Sequence, residues 1–362
     1  MLARVAWNHL ADPADHAAQT YCDLHGVGGA LERVLAQADP AAQALADRWR
    51  LRLSRCDPWR DLRNVAQLGG RVLVPGDEQW PPGLTDLGSR TPVLLWAVGP
   101  ARIDWSRSVS VVGSRSATSY GERVAADLGS DLAERGVAVV SGGAYGIDIA
   151  VHRGVLAAGG QAVVVLAGGL DRLYPRGNER VLAKARAEQL VLSEAKPGVS
   201  PTRWRFLERN RLIAAMSAAT VVVEAARRSG ALSTANAAAG LGRPLGAVPG
   251  PVTSMTSVGC HYLLRNREAT CVTGAGDLVE LISGLDATRE AQDSLFGPVS
   301  DPLDLRVLDA LPRRNGVDTA ELAGRVGITP RQAQAALGRL SLTGEAVMTG
   351  GRWRRAFPAG GR

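Results

Sequence analysis

Short, nearly continuous apolar runs alternate with helix-length stretches through the middle of the chain, and each run stops at small or polar residues. Val109-Ser110-Val111-Val112 leads into Gly113-Ser114-Arg115, and Val137-Ala138-Val139-Val140 into Ser141-Gly142-Gly143-Ala144. Ala162-Val163-Val164-Val165-Leu166 gives way to Ala167-Gly168-Gly169-Leu170-Asp171, and Val221-Val222-Val223 to Glu224. Uninterrupted Val-rich runs separated by helices predict parallel strands buried on both faces. The fold class is therefore α/β, a Rossmann-like, doubly wound and mostly parallel sheet. In such a sheet a ligand lies beyond the carboxyl ends of the strands. Nearly all the unusual chemistry of this chain falls there.

The flanks follow other patterns. Residues 1–68 predict a small helical domain. Within it, Leu24-His25-Gly26-Val27-Gly28-Gly29 forms a tight bend like a helix-hairpin-helix, whose glycines let amides approach a DNA phosphate. A plain helical turn explains the same residues. Residues 69–285 form an extended Rossmann-like core. It opens on an irregular, proline-rich lead-in whose Val93-Leu94-Leu95-Trp96 adds an edge strand. Residues 286–302 lack periodicity and read as a linker. Residues 303–362 predict three short helices and a glycine-containing hairpin, which is winged-helix order. Thr329-Pro330 caps the third helix and supplies its first-turn proline.

With 362 residues, 46% of them hydrophobic, the chain is long enough for two or three domains with a real core. Its net charge of +7 suits a polyanionic partner. The cations are almost all arginine, Lys184 and Lys196 being the exceptions. Arginine's planar fork suits phosphate and stacks on bases. A GC-rich genome accounts for arginine usage overall, so each arginine is argued by position. Cys22, Cys56, Cys260 and Cys271 show no CxxC spacing, which predicts neither a metal site nor a disulfide framework. No cofactor is expected. No leader and no bilayer-length apolar stretch is evident, so a cytoplasmic protein without a membrane partner is expected.

The strand-end loops carry the chemistry. Gly113, Ser114 and Arg115 sit between a strand and a helix opening near Ser119-Tyr120-Gly121. There a close backbone, hydroxyls, a helix N-terminus and a bidentate cation favour an anion. An ordinary βα turn with a surface arginine is the plain alternative. No GxGxxG, Walker loop or ribose-binding acid accompanies it, which argues against a dinucleotide site. Ser141, Gly142 and Gly143 form a second phosphate-competent turn. Asp148 and His152 beyond it read as loop-bracing and structural. Arg203, Trp204, Phe206, Arg209 and Asn210 interleave rings with cations, as a single-strand groove requires. The plain alternative is that Trp204 and Phe206 pack into the core while Arg209 or Arg211 brace loops; Arg209-Asn210-Arg211 open a helix. Ser229, Gly230 and Thr234 repeat the anion-site logic after Glu224, a carboxylate expected to accept from amides or arginine.

Taken together, these motifs resemble the DprA/Smf family of bacterial recombination mediators. The matching text includes Gly113-Ser114-Arg115, Ser141-Gly142-Gly143-Ala144-Tyr145-Gly146-Ile147-Asp148, Gly169-Leu170-Asp171 with Tyr174-Pro175, Arg209-Asn210-Arg211, Ser229-Gly230 and Pro249-Gly250. The likeness covers about 70 to 285. It implies a non-enzymatic protein that binds single-stranded DNA without sequence preference, protects it and helps load RecA, acting in natural transformation and DNA processing. By position it makes Arg115 a backbone contact, Phe206 a base-stacking ring and Arg203 a basic contact. Arg176 takes a groove position where lysine is common. The resemblance also implies a homodimer, with Leu263 and Leu264 as contact residues, although a buried helix face explains them equally well. Leu207 departs from the proline usual after the phenylalanine, which puts the presentation of the ring in question.

Two other readings come from different classes. A nucleotide-processing enzyme of the lysine-decarboxylase-like Rossmann group would carry a PGGxGTxxE-type turn with a catalytic glutamate. The counterpart here, Arg228-Ser229-Gly230-Ala231-Leu232-Ser233-Thr234, lacks it. A regulatory protein led by the winged helix would prefer duplex DNA.

Overall fold

The computed structural model describes residues 1–37, 43–267, 269–283, 302–313, 316–342 and 344–356. It divides into two compact units, Met1–Leu285 and Asp286–Arg362. Residues 286–301 of the expected linker lie outside the described residues.

The first unit is built on a nine-stranded sheet. In chain order the strands are β1 (Arg71–Leu73), β2 (Leu95–Val98), β3 (Ser108–Val112), β4 (Ala138–Gly142), β5 (Ala162–Leu166), β6 (Leu190–Ser193), β7 (Ala219–Val222), β8 (Leu245–Ala247) and β9 (Thr270–Cys271). In space the order is β1-β2-β6-β5-β4-β3-β7-β8-β9. Strands β6 to β9 in that row are parallel, with Val111 opposite Val221 and Val140 opposite Val163. β1 and β2 add antiparallel pairings at one end. The expected edge strand thus sits one place inside the edge, because the shorter Arg71–Leu73 run pairs outside it. β6 was not anticipated. Its apolar run is brief, and its place between β5 and β2 comes from pairing across the sheet.

Every residue of β3, β4 and β5 is buried, as a strand covered on both faces requires. Side chains alternate between two layers. Val109, Val111 and Val139 pack under α6 (Ser119–Glu134) and α7 (Ile147–Ala157). Val112, Val140 and Val163 pack under α9 (Arg203–Met216), α10 (Ala231–Gly240) and α11 (Val258–Asn266). On the α7 side of the sheet, α8 (Glu179–Glu188) packs with Val164 and Val191.

Five helices precede the sheet: α1 (Leu2–Leu10), α2 (His16–His25), α3 (Val27–Ala36), α4 (Gln43–Arg50) and α5 (Pro58–Gln67). They have a core of their own around Trp7, Leu10, Tyr21 and Trp49. Val5 and Val65 also reach the sheet's core, so these helices dock on it. The bend between α2 and α3 turns on Gly26, at φ +70°, where a side chain would be strained. After β9, α12 (Ala275–Ser283) closes the unit. The second unit holds α13 (Pro302–Ala310), α14 (Thr319–Val326) and α15 (Pro330–Leu342), followed by the antiparallel pair β10 (Ala346–Thr349) and β11 (Arg352–Arg355). Val307, Leu322, Leu337 and Trp353 fill its core. Among the described residues no helix is long and apolar enough to cross a membrane.

Candidate nucleic-acid interface

From β3 the chain steps outward to β4, β5 and β6, then returns along α9 to lay β7 on the other side of β3. That reversal separates the loops that follow β3 and β7, as at the switch point of any doubly wound sheet. The gap is a groove of about 510 Å³. Gly113, Ser114 and Arg115 line one side, Arg203, Phe206, Arg209 and Asn210 of α9 another, and Ser229, Gly230 and Thr234 a third. Ser141, Gly142 and Gly143 do not line it, and neither does Arg176, which is exposed elsewhere.

Several of these groups also hold the loops themselves together. The Ser114 amide donates to the Glu224 carbonyl (2.7 Å), and its hydroxyl accepts from the Ser116 amide (3.2 Å). A Cβ at position 113 would lie 2.4 Å from the Ile147 side chain, so this glycine serves close packing rather than approach to a ligand. The Ser229 hydroxyl accepts from the Ala231 amide at the start of α10, and Asn210 donates to the Gly230 carbonyl. Thr234 is buried. What faces the opening is charge and ring. Arg115 is exposed and has no ion pair among the described residues, and its guanidinium stacks 4.2 Å from the centre of the Phe206 ring. Phe206 is half-buried, with Tyr174 6.1 Å away, ring centre to ring centre. Trp204 and Leu207 are both nearly half exposed. α9 runs through Leu207, and the Phe206 ring still reaches the groove.

The floor beneath is a buried polar layer. Arg209 Nη1 donates to the Val165 carbonyl (2.9 Å), and Nη2 lies 4.0 Å from Asp148. Burial pulls this guanidinium down to about 10 and pushes the Asp148 carboxyl up, each opposed by the other's charge. Gly142 makes room for them, since a Cβ there would sit 1.9 Å from Arg209 Nη1. The Ser141 hydroxyl donates to the Val111 carbonyl, and the Gly143 carbonyl accepts from Asn178. The second glycine turn therefore supports the groove from below.

His152 donates through Nε2 to the Gly142 carbonyl (3.0 Å). Burial pulls its pKa from 6.5 to about 4. An unfolded chain takes up a proton on this ring below pH 6.5 that the folded chain refuses until about pH 4, so stability should fall as pH drops through that window. The slope reaches at most ~1.4 kcal/mol per pH unit. Asp148 contributes with the opposite sign, so denaturation curves of wild type and His152→Gln should be compared across the window. Equal slopes in the two would refute the assignment.

The sequence pattern has Arg209, Asn210 and Arg211 opening a helix. They lie well inside one, because Thr202 caps α9 and Arg203 begins it. Arg211 braces the fold, gripping both carboxylate oxygens of Glu194 at 2.8 and 2.9 Å. Glu194 follows β6, whose apolar run is too short to mark a strand end in the sequence. Glu224 accepts from the Thr118 amide and from the Thr118 and Thr256 hydroxyls, with no arginine involved. Arg228 also lines the groove. Its signal was the Arg227-Arg228 pair just before Ser229. Leu263 is 1% exposed in the core, and Leu264 packs against the same cluster, so both side chains are engaged within the chain.

The model of the family DNA recombination-mediator protein A matches residues 71–283. A Mycobacterium tuberculosis protein carrying the name DNA processing protein DprA is 46% identical over 308 residues, 81% of this chain and 79% of its own. Protein Smf of Escherichia coli is 36% identical over 227 residues, 62% of this chain and 60% of its own. Among solved structures, DNA processing protein A of Streptococcus pneumoniae superposes with a TM-score of 0.63 at 27% identity, covering 76% of this chain and 95% of that one. The Helicobacter pylori protein, solved in work on its single-stranded DNA binding mode, gives 0.54 at 28% identity over 59% of this chain and 96% of its own. With that identity over most of its length and the family's model spanning the sheet, the chain belongs to the DNA recombination-mediator protein A family, the DprA/Smf proteins.

Proposed function

We propose that the chain binds single-stranded DNA in the switch-point groove, protects it and presents it to RecA, in recombination and in natural transformation, working as a homodimer without a cofactor. The observation that carries this reading is the exposed Arg115 guanidinium stacked on the half-buried Phe206 ring at the mouth of the groove. An arginine beside a ring offers one group to a phosphate and one to an unstacked base, with no sequence readout. The single-strand binding of the Helicobacter pylori neighbour supports it. Binding rather than turnover fits the state of Asp148, the carboxylate in the groove's lining, and of Glu224 beyond the end of β7. Glu224 already accepts from an amide and two hydroxyls, and Asp148 lies buried beside Arg209. We assign residues 303–362 to a winged-helix domain that acts outside this groove.

The test is a binding assay with single-stranded, duplex and mononucleotide ligands side by side, with nucleotide turnover followed in parallel. With about four phosphates neutralised, raising salt from about 50 to about 200 mM should weaken single-strand binding roughly 50-fold, at about −0.7 in slope per phosphate. A flat salt response, a preference for duplex or steady nucleotide cleavage would each replace this reading with another.

A further inference from the structure

A second cation-lined pocket, of about 250 Å³, lies where the N-terminal helices meet the carboxyl end of β6. Asn8 and His9 of α1, Arg52 and Arg55 beyond α4, Glu194 and Lys196 after β6, and Arg205 of α9 face it, along with Asp12. Its charges do not cancel. Asp12 pairs with Arg52 at 2.7 Å, and Glu194 is held by Arg211. Arg55, Lys196 and Arg205 are left with no ion pair among the described residues.

Lys196 is aimed by a buried relay. Its ammonium donates to His9 Nδ1 (2.5 Å), and His9 Nε2 donates to the Asp61 carboxylate, the last two side chains being almost wholly buried. Two of the three N–H donors of Lys196 are left for a ligand. Burial pulls Lys196 and Arg205 below their ordinary values, a cost that an anion in the pocket would offset. No Phe, Tyr or Trp lines the pocket, so it suits a phosphodiester rather than a base.

Shared lining residues link the pocket to the groove. A shallow depression shares Phe206 and Arg209 with the groove, and a second shares Leu166, Ala167 and Arg209 with the first. That second depression shares Glu194, Ala195 and Arg205 with the pocket. Trp204, 44% exposed, precedes Arg205 on α9, and the Arg205 guanidinium lies 5.8 Å from its ring centre.

We infer that this pocket is a second phosphate-binding site, which takes the same DNA strand as it leaves the groove, so that the N-terminal helices extend the single-strand track. The inference rests on the groove reading under Proposed function.

The probes are oligothymidylates of about 6 and about 20 nucleotides. The longer one should bind wild type more tightly and with a steeper salt slope, by about 0.7 per added phosphate contact. Arg55→Glu with Arg205→Ala should weaken the longer probe about tenfold and lower its slope by about 1.4, leaving the shorter one unchanged. Arg55→Glu alone alters only an exposed residue, and should weaken the longer probe about threefold with an unchanged melting temperature. Affinity for the longer probe that is unmoved in both variants overturns the inference. So does an equal loss at both lengths, which would place these residues' effect in the groove itself. Arg115→Ala separates the two readings, because it should weaken both probes. If it is silent at both lengths while the pocket variants weaken the longer probe, the groove reading falls and the pocket stands as the phosphate site.

Discussion

Phe206→Ala should weaken single-strand binding by about 1–3 kcal/mol, roughly 5- to 150-fold, with the salt slope almost unchanged. Truncating the ring removes a stacking platform but no phosphate contact, so counterion release is untouched. Arg115→Ala should do the reverse and lower the slope by about 0.7 along with the affinity. The two changes should not add. The guanidinium lies over the ring at 4.2 Å, a contact worth about 0.5–1 kcal/mol at an exposed site, so each truncation already removes part of what the other would. Folding stability provides the control. A wholly buried phenylalanine costs about 3–5 kcal/mol when cut to alanine, and this half-buried one should cost less. If melting fell as far as for a core ring while each folded molecule bound DNA normally, Phe206 would belong to the core.

Arg211→Ala should destabilise the first unit by about 3–5 kcal/mol, the cost of leaving one charge of a buried pair without its partner. Glu194 is 8% exposed, and both of its oxygens are held by this one guanidinium. The same group donates to the Arg90 and Glu208 carbonyls, tying the lead-in to α9. Arg211→Met combined with Glu194→Leu should recover much of the loss, since an apolar pair of similar volume avoids burying either charge. Urea denaturation would show the single change as a lower midpoint at constant slope. A loss under about 1 kcal/mol would mean that water reaches Glu194 and the pair behaves as a surface one.

Local pattern was enough to predict parallel strands over 109–112, 137–140 and 162–166, against 108–112, 138–142 and 162–166 in the structure, because a strand covered on both faces is apolar at most of its positions. It also predicted that anion chemistry gathers at their carboxyl ends, since glycine, hydroxyl and arginine recur there in register with the strands. The groove's lining by Arg115 and Ser229 was legible for the same reason, and that by Arg203 and Phe206 from the interleaving of rings with cations. What the pattern does not carry is pairing at long range. β6 has too short an apolar run to announce itself, and the flanking β5 and β2 define it. Its exit carries Glu194 and Lys196, so the partner of Arg211 and the relay to His9 emerge only when α1, α5 and α9 converge there. Arginines on α9 look alike along the chain. The tertiary structure sorts them, burying Arg209 and Arg211 as braces while Arg203 and Arg205 line two different openings. Helical period places side chains around an axis, and only the elements packed on each side decide which of them meets water.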